Sequence, residues 1–130
     1  MSRNLNKIKY IVFHCTAGRP TATVADVFAE FKRKGWTNPG YHYLVTSDGK
    51  VHKLLSVDKI ANGVRGYNAV SVHVAYTGVM PNDTQWRTLH SLASWLHGDF
   101  PSAKLVGHCD LNPSKSCPNF DVSKIFGYIK

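Results

Sequence analysis

The chain has no apolar run approaching the roughly 20 residues that a membrane-spanning helix needs, so the sequence predicts no membrane anchor. Its opening stretch, MSRNLNKIKY, carries basic groups but no apolar segment behind them, which predicts no signal peptide. Cysteine is scarce and odd in number. Three thiols cannot all pair within one chain, so reduced or metal-bound cysteine is expected rather than a disulfide framework. Acidic residues are also few, 8 against 16 basic ones, for a formal charge of +8. That surplus points to an anionic partner: nucleic acid, an anionic lipid surface, or an acidic polymer such as bacterial cell wall. Nucleic acid is disfavoured because the basic residues are scattered and no aromatic–basic signature accompanies them. The one tight run, Lys32-Arg33-Lys34, reads as the solvated end of a helix. Internal repeats, linkers and low-complexity segments are all missing, and so is a convincing carboxylate pair for a glycosidase.

What is there fits one domain over residues 1–130, with an ordinary apolar fraction of 43%. Lys7 to Cys15 is β-branched and aromatic and predicts a buried central strand, with alternation placing His14 and Cys15 on opposite faces. Thr23, with Asp26 three positions later, predicts a helix N-terminus. Val24, Val27, Phe28 and Phe31 then form one apolar stripe that ends at Gly35. YHYLVT and KVHKLL around Asp48-Gly49 predict a hairpin. Residues 56–68 read as a loop, and Val70 to Tyr76 as another buried strand. A second helix opens at Asn82, Asp83 or Thr84 and ends near Gly98 and Pro101; Lys104 to Val106 is a short strand, and Asp121 to Ile129 a closing helix. Interspersed strands and helices with one hairpin predict an α/β fold, a single mixed β-sheet flanked by helices.

The chemistry concentrates in Gly107 to Asp121, GHCDLNPSKSCPNFD, which offers His108, Lys115 and Cys117. Pro113 and Pro118 predict an irregular loop there. A catalytic zinc takes three protein ligands and keeps a fourth position open. His14 is the obvious third, provided that the strands before His14 and before His108 are neighbours.

The ordered set HCTAG, GYHYLVTSDGKV, GYNAVSVHVAYTG and GHCDLNPSKSCPNFD resembles the zinc-dependent N-acetylmuramoyl-L-alanine amidases, a family that includes amidase-type phage lysozymes and the peptidoglycan recognition proteins. The resemblance runs from about Ile8 to Asp121. It implies an amidase fold with Zn2+ on His14, His108 and Cys117, and catalytic roles for Tyr41 and Lys115. Such a zinc lowers the pKa of a bound water to about 7 and so supplies a nucleophile near neutral pH. The bond implied is the amide joining the lactyl group of muramic acid to L-alanine. Lys115 and Tyr41 would stabilise the oxyanion, and Tyr41 is also the first candidate for the proton route.

The implied partner is peptidoglycan, and a monomer made in the cytoplasm is expected to act at the cell wall, either after phage-type release through a membrane pore or by another route. Amidase-type phage lysozymes can double as polymerase inhibitors, so a protein partner such as a polymerase stays open. So does a recognition module that binds peptidoglycan without cutting it, although Cys117 argues against that. Asn68 either contacts substrate or caps a turn. Cys15 and Cys109 read as core thiols, the tryptophans as packing groups, and His42, His52, His73, His90 and His97 as structural or surface groups. Two departures stand out. Family members often carry a histidine in the loop before GYN, where this chain has Asn62-Gly63-Val64, and His73 stands where relatives usually have a small residue.

Overall fold

The computed structural model describes residues 2–129. Five strands, β1 (Tyr10–Cys15), β2 (Tyr43–Val45), β3 (Val51–Lys53), β4 (Ser71–Tyr76) and β5 (Lys104–Gly107), form one sheet in the order β3-β2-β4-β1-β5. β2 and β3 pair antiparallel, and every other pairing is parallel, so the sheet is mixed as expected. The helices are α1 (Val24–Arg33), α2 (Asp83–Asp99), and the short α3 (His108–Leu111) and α4 (Val122–Phe126).

Local chemistry accounts for most of these boundaries. At α1, Thr23 accepts from the Asp26 N–H and Asp26 accepts from the Thr23 N–H, satisfying two of the donors a helix start leaves free. Asn82 and Gln85 do the same for α2. Gly49 turns the hairpin with φ +81, a left-handed angle that favours glycine, and Gly35 at φ +78 carries the chain out of α1.

α2 ends at Asp99, between Gly98 and Pro101 as expected, with buried Phe100 closing its last turn on Leu96. Two elements differ from the sequence-based expectation. The closing helix covers only Val122–Phe126, its start capped by Asp121 and its end set at Gly127. The stretch after β5 is not irregular throughout: His108–Leu111 forms one helical turn before Pro113 breaks it.

Alternation along β1 and β4 sorts side chains onto the two faces of the sheet. Ile11, Phe13, Cys15, Val72, Val74 and Tyr76 pack with Leu89, Leu92, Ala93 and Leu96 of α2 and with Val122 and Phe126 of α4. The opposite face is smaller and mixed. Leu44 and Ala75 meet Val27 and Phe31 of α1, while His14, His42 and His73 are buried on the same side.

Candidate metal centre

His14 and His108 are 94 residues apart, and strand register brings them together. β1 and β5 run parallel with Phe13 opposite Gly107, so the next residue on each strand reaches the same end of the sheet. Gly107 has a steric reason to be glycine. A Cβ there would stand 2.7 Å from Pro118 Cδ and 3.3 Å from Cys109 Sγ, where the returning loop crosses. That loop is pinned by the Cys109 N–H donating to the Cys117 carbonyl at 2.8 Å, and by the Cys15 N–H donating to Cys117 Sγ at 2.7 Å.

The outcome is a cluster of three donors. His14 Nδ1 and His108 Nδ1 stand 3.2 Å apart, and one ligand atom from each of His14, His108 and Cys117 lies within 4.8 Å of the others. Two nitrogens each about 2.0–2.1 Å from one tetrahedral ion would stand roughly 3.3 Å apart. Two imidazoles and one thiolate are also a donor set suited to zinc. The residues present therefore fit a zinc-type ion with one position open. Cys15 is not one of the three donors; its side chain packs in the cluster on the opposite face, as alternation predicted, with its thiol beside that of Cys117.

Burial and the adjacent His108 push the His14 imidazole well below its usual titration range, so that ring is neutral, the form that binds a cation. His108 is lowered too, by burial and by the Lys115 ammonium. For the Cys117 thiol, the neighbouring Cys15 side chain and burial both push upward. A cation held at the site would favour the thiolate and so offset that upward push. Tyr41 is raised above the ordinary phenol range by burial first and then by Cys117, so its hydroxyl remains a donor at neutral pH.

The cluster lies at the bottom of a cleft of about 360 Å³ that Tyr41 and Lys115 also line. Tyr41 packs 5.2 Å from the His14 ring and edge-on to Phe31, while Lys115 is exposed on the loop. A second hollow of about 400 Å³ runs along α1 and adjoins the first at Thr16, Phe31, Lys34 and Tyr41. Asn68 does not line the cleft. Its Oδ1 accepts from the Val64 N–H at 2.7 Å and sits 2.9 Å from His73 Nε2. Trp36, read from the sequence as a packing group, is also a wall of the cleft. It stacks on Phe31, lies under the Lys34 ammonium at 4.7 Å and lines the cleft. Its one signal was its place directly after the helix-ending Gly35.

A family model described as N-acetylmuramoyl-L-alanine amidase matches residues 4–120. The endolysin of Klebsiella phage KP32 is 31% identical over 125 residues, covering 88% of this chain and 82% of that one. Among solved structures, the Ph2119 endolysin from Thermus scotoductus MAT2119 bacteriophage Ph2119 superposes with a TM-score of 0.82 at 33% identity, covering 92% of this chain and 84% of the other. The amidase LysCS from Clostridium intestinale URNW reaches a TM-score of 0.85 at 23% identity, covering 98% and 88%, a likeness of fold.

Proposed function

The chain belongs to the N-acetylmuramoyl-L-alanine amidase family, and from that premise we propose that it cuts peptidoglycan with a zinc ion held by His14, His108 and Cys117. It is a peptidoglycan amidase of the phage endolysin type. The bond cut joins the lactyl group of N-acetylmuramic acid to L-alanine. The observation that carries the zinc reading is the convergence of two imidazole nitrogens and a thiol beneath an open cleft. When bound there, zinc lowers the pKa of water and polarises the carbonyl.

The chain's own groups supply the rest. Lys115 lines the cleft from the ligand loop, and its ammonium would stabilise the negative charge that develops on the carbonyl oxygen. Tyr41, which lines the same cleft, would offer a second donor. A phenol that holds its proton through neutral pH suits donation, to the oxyanion or toward the leaving amine, better than abstraction. The groove along α1, with Arg19, Asp26, Glu30 and Lys34 beside apolar Val27 and Phe31, suits the mixed charges of a stem peptide. Asn68 is not among the groups that line the cleft, and its oxygen is engaged by Val64 and His73.

Two measurements on the purified protein test this. Incubated with peptidoglycan, it should release L-alanine amino groups without new reducing sugar ends. It should also contain about one zinc per chain, lost in His14→Ala, His108→Ala and Cys117→Ala. Amine release that continues at full rate in zinc-free protein would remove the metal from the reading; new reducing ends would replace the amidase with a glycosidase.

A further inference from the structure

His73 lies at the centre of β4, opposite Val12 of β1, and is fully buried. Its ring sits between two other buried imidazoles. His14 is 5.0 Å away by ring centroids, and His42 stacks parallel to it at 6.0 Å. Every polar atom of His73 that faces this layer has a partner. Its backbone N–H donates to His42 Nδ1 at 3.0 Å, its Nε2 is 2.9 Å from Asn68 Oδ1, and its Nδ1 is 2.9 Å from His14 Nε2.

The protons in this chain can be placed one after another from a single fixed point. The Val64 backbone N–H can only donate, so the Asn68 atom it meets at 2.7 Å is the carbonyl oxygen. An oxygen acceptor 2.9 Å from His73 Nε2 puts the His73 proton on that nitrogen. Fully buried beside other imidazoles, His73 is neutral, and its Nδ1 is left as a bare acceptor. The neighbouring His14 Nε2 therefore carries the proton between them. His14 is neutral for the same reason, so its Nδ1 carries a lone pair, and this is the nitrogen 3.2 Å from His108 Nδ1 in the ligand cluster. Were the His14 proton on Nδ1 instead, it would occupy the position where a cation must be bound.

Gly63 completes the arrangement. A Cβ at this position would overlap the His73 imidazole at Nδ1, Cε1 and Cγ. The two places where the sequence departs from the family pattern, the loop before GYN and the strand position of His73, are thus in contact with one another, and the His73 ring leaves no room for a side chain at position 63.

We propose that His73 is a positioning residue for the metal centre: oriented by Asn68 and given room by Gly63, it holds His14 in the tautomer whose Nδ1 faces the ion. This rests on the zinc reading above. Histidine ligands fixed through their second nitrogen lose about 10- to 100-fold in metal affinity when that partner is removed.

The test is zinc affinity by competition with a chromophoric chelator, together with the visible absorption spectrum of the cobalt-substituted protein. His73→Phe keeps a ring of similar size and removes the acceptor. It should weaken zinc by about 10- to 100-fold and shift the cobalt bands, while circular dichroism of the metal-free protein stays unchanged. Asn68→Ala should weaken zinc in the same direction, and Asn68→Asp, which keeps an oxygen acceptor, should restore near wild-type affinity. Gly63→Ala should also weaken zinc, but should add nothing in a His73→Gly background, where the ring it displaces is gone. That last pair keeps the test decisive if His73→Phe folds poorly. Wild-type zinc affinity and an unshifted cobalt spectrum in folded His73→Phe and Asn68→Ala would overturn the positioning role alone. Failure of the wild-type protein to bind zinc would overturn the zinc reading and this inference together.

Discussion

On one face of the sheet, Ile11, Phe13 and Cys15 of β1 and Val72, Val74 and Tyr76 of β4 meet α2 and α4 in an unbroken apolar cluster. On the other face, the alternate positions of the same two strands include Val12, His14, His73 and Ala75, with His42 beside them. Both faces are equally buried, yet they are held differently. The first is non-directional and depends on area and close packing. The second depends on each imidazole having a partner for each nitrogen, since an unpartnered buried polar group costs about 1–3 kcal/mol. Stability resides mainly on the first face. The histidines, including the candidate ligand His14, sit on the second, where a polar layer can be oriented atom by atom.

The contrast breaks most strongly at the apolar face. Leu89 on α2 is essentially inaccessible, and Leu89→Ala should lower unfolding free energy by roughly 2–5 kcal/mol. Zinc content per folded molecule should stay at the wild-type level. Denaturant melts paired with metal analysis check this, and a large loss of zinc from folded protein would mean that the two faces are coupled.

The cleft above the histidine face should show the reverse. Lys115 is exposed, so Lys115→Ala should leave stability within about 0.5 kcal/mol of wild type. Turnover should fall on the order of 100- to 1000-fold, the usual cost of losing one donor to an oxyanion. Tyr41→Phe should act in the same direction with its packing against Phe31 retained. Initial rates of amine release, with zinc content measured alongside, separate these outcomes.

Acid should distinguish the faces next. Burial pushes His42 down to about 4 from its usual 6.5. The unfolded chain thus takes up this proton at higher pH than the folded one, so stability rises with pH across that window. The contribution is complete above about 6.5 and is lost as pH falls toward 4, a change of up to about 3 kcal/mol. His14 and His73, lowered by the same cause, act in the same sense in metal-free protein. His42→Phe should flatten the stability profile between those limits in thermal melts of metal-free protein. An unchanged slope would show that the layer does not titrate as a buried unit.

The smallest expected effect belongs to neither face. The surplus of +8 is spread over the surface, so attachment to an anionic wall should weaken steadily as salt rises. Binding of the slowed Lys115→Ala variant to wall fragments, over times short against its turnover and across a salt series, measures it. Salt-insensitive binding would put the attachment in the groove instead.

The sequence by itself determined the elements and much of the chemical inventory. Period-2 and period-3.6 patterns are local, and so are the caps at Thr23 and Asn82 and the turn at Gly49; each can be read from a few adjacent residues. The loop from Gly107 to Asp121 announced its histidine, lysine and cysteine in the same way. Tertiary structure decided who meets whom. Only the register of Phe13 against Gly107 sets His14 beside His108. Only the packing of the loop before β4 turns Asn68 inward to Val64 and His73, and only the fold onto α1 makes Trp36 a wall of the cleft. The mutual fit of Gly63 and His73 belongs here too, because two residues ten positions apart carry no local pattern that links them. Strand register and close packing create contacts that local periodicity cannot encode, and a tautomer is fixed only once all its hydrogen-bond partners are in place.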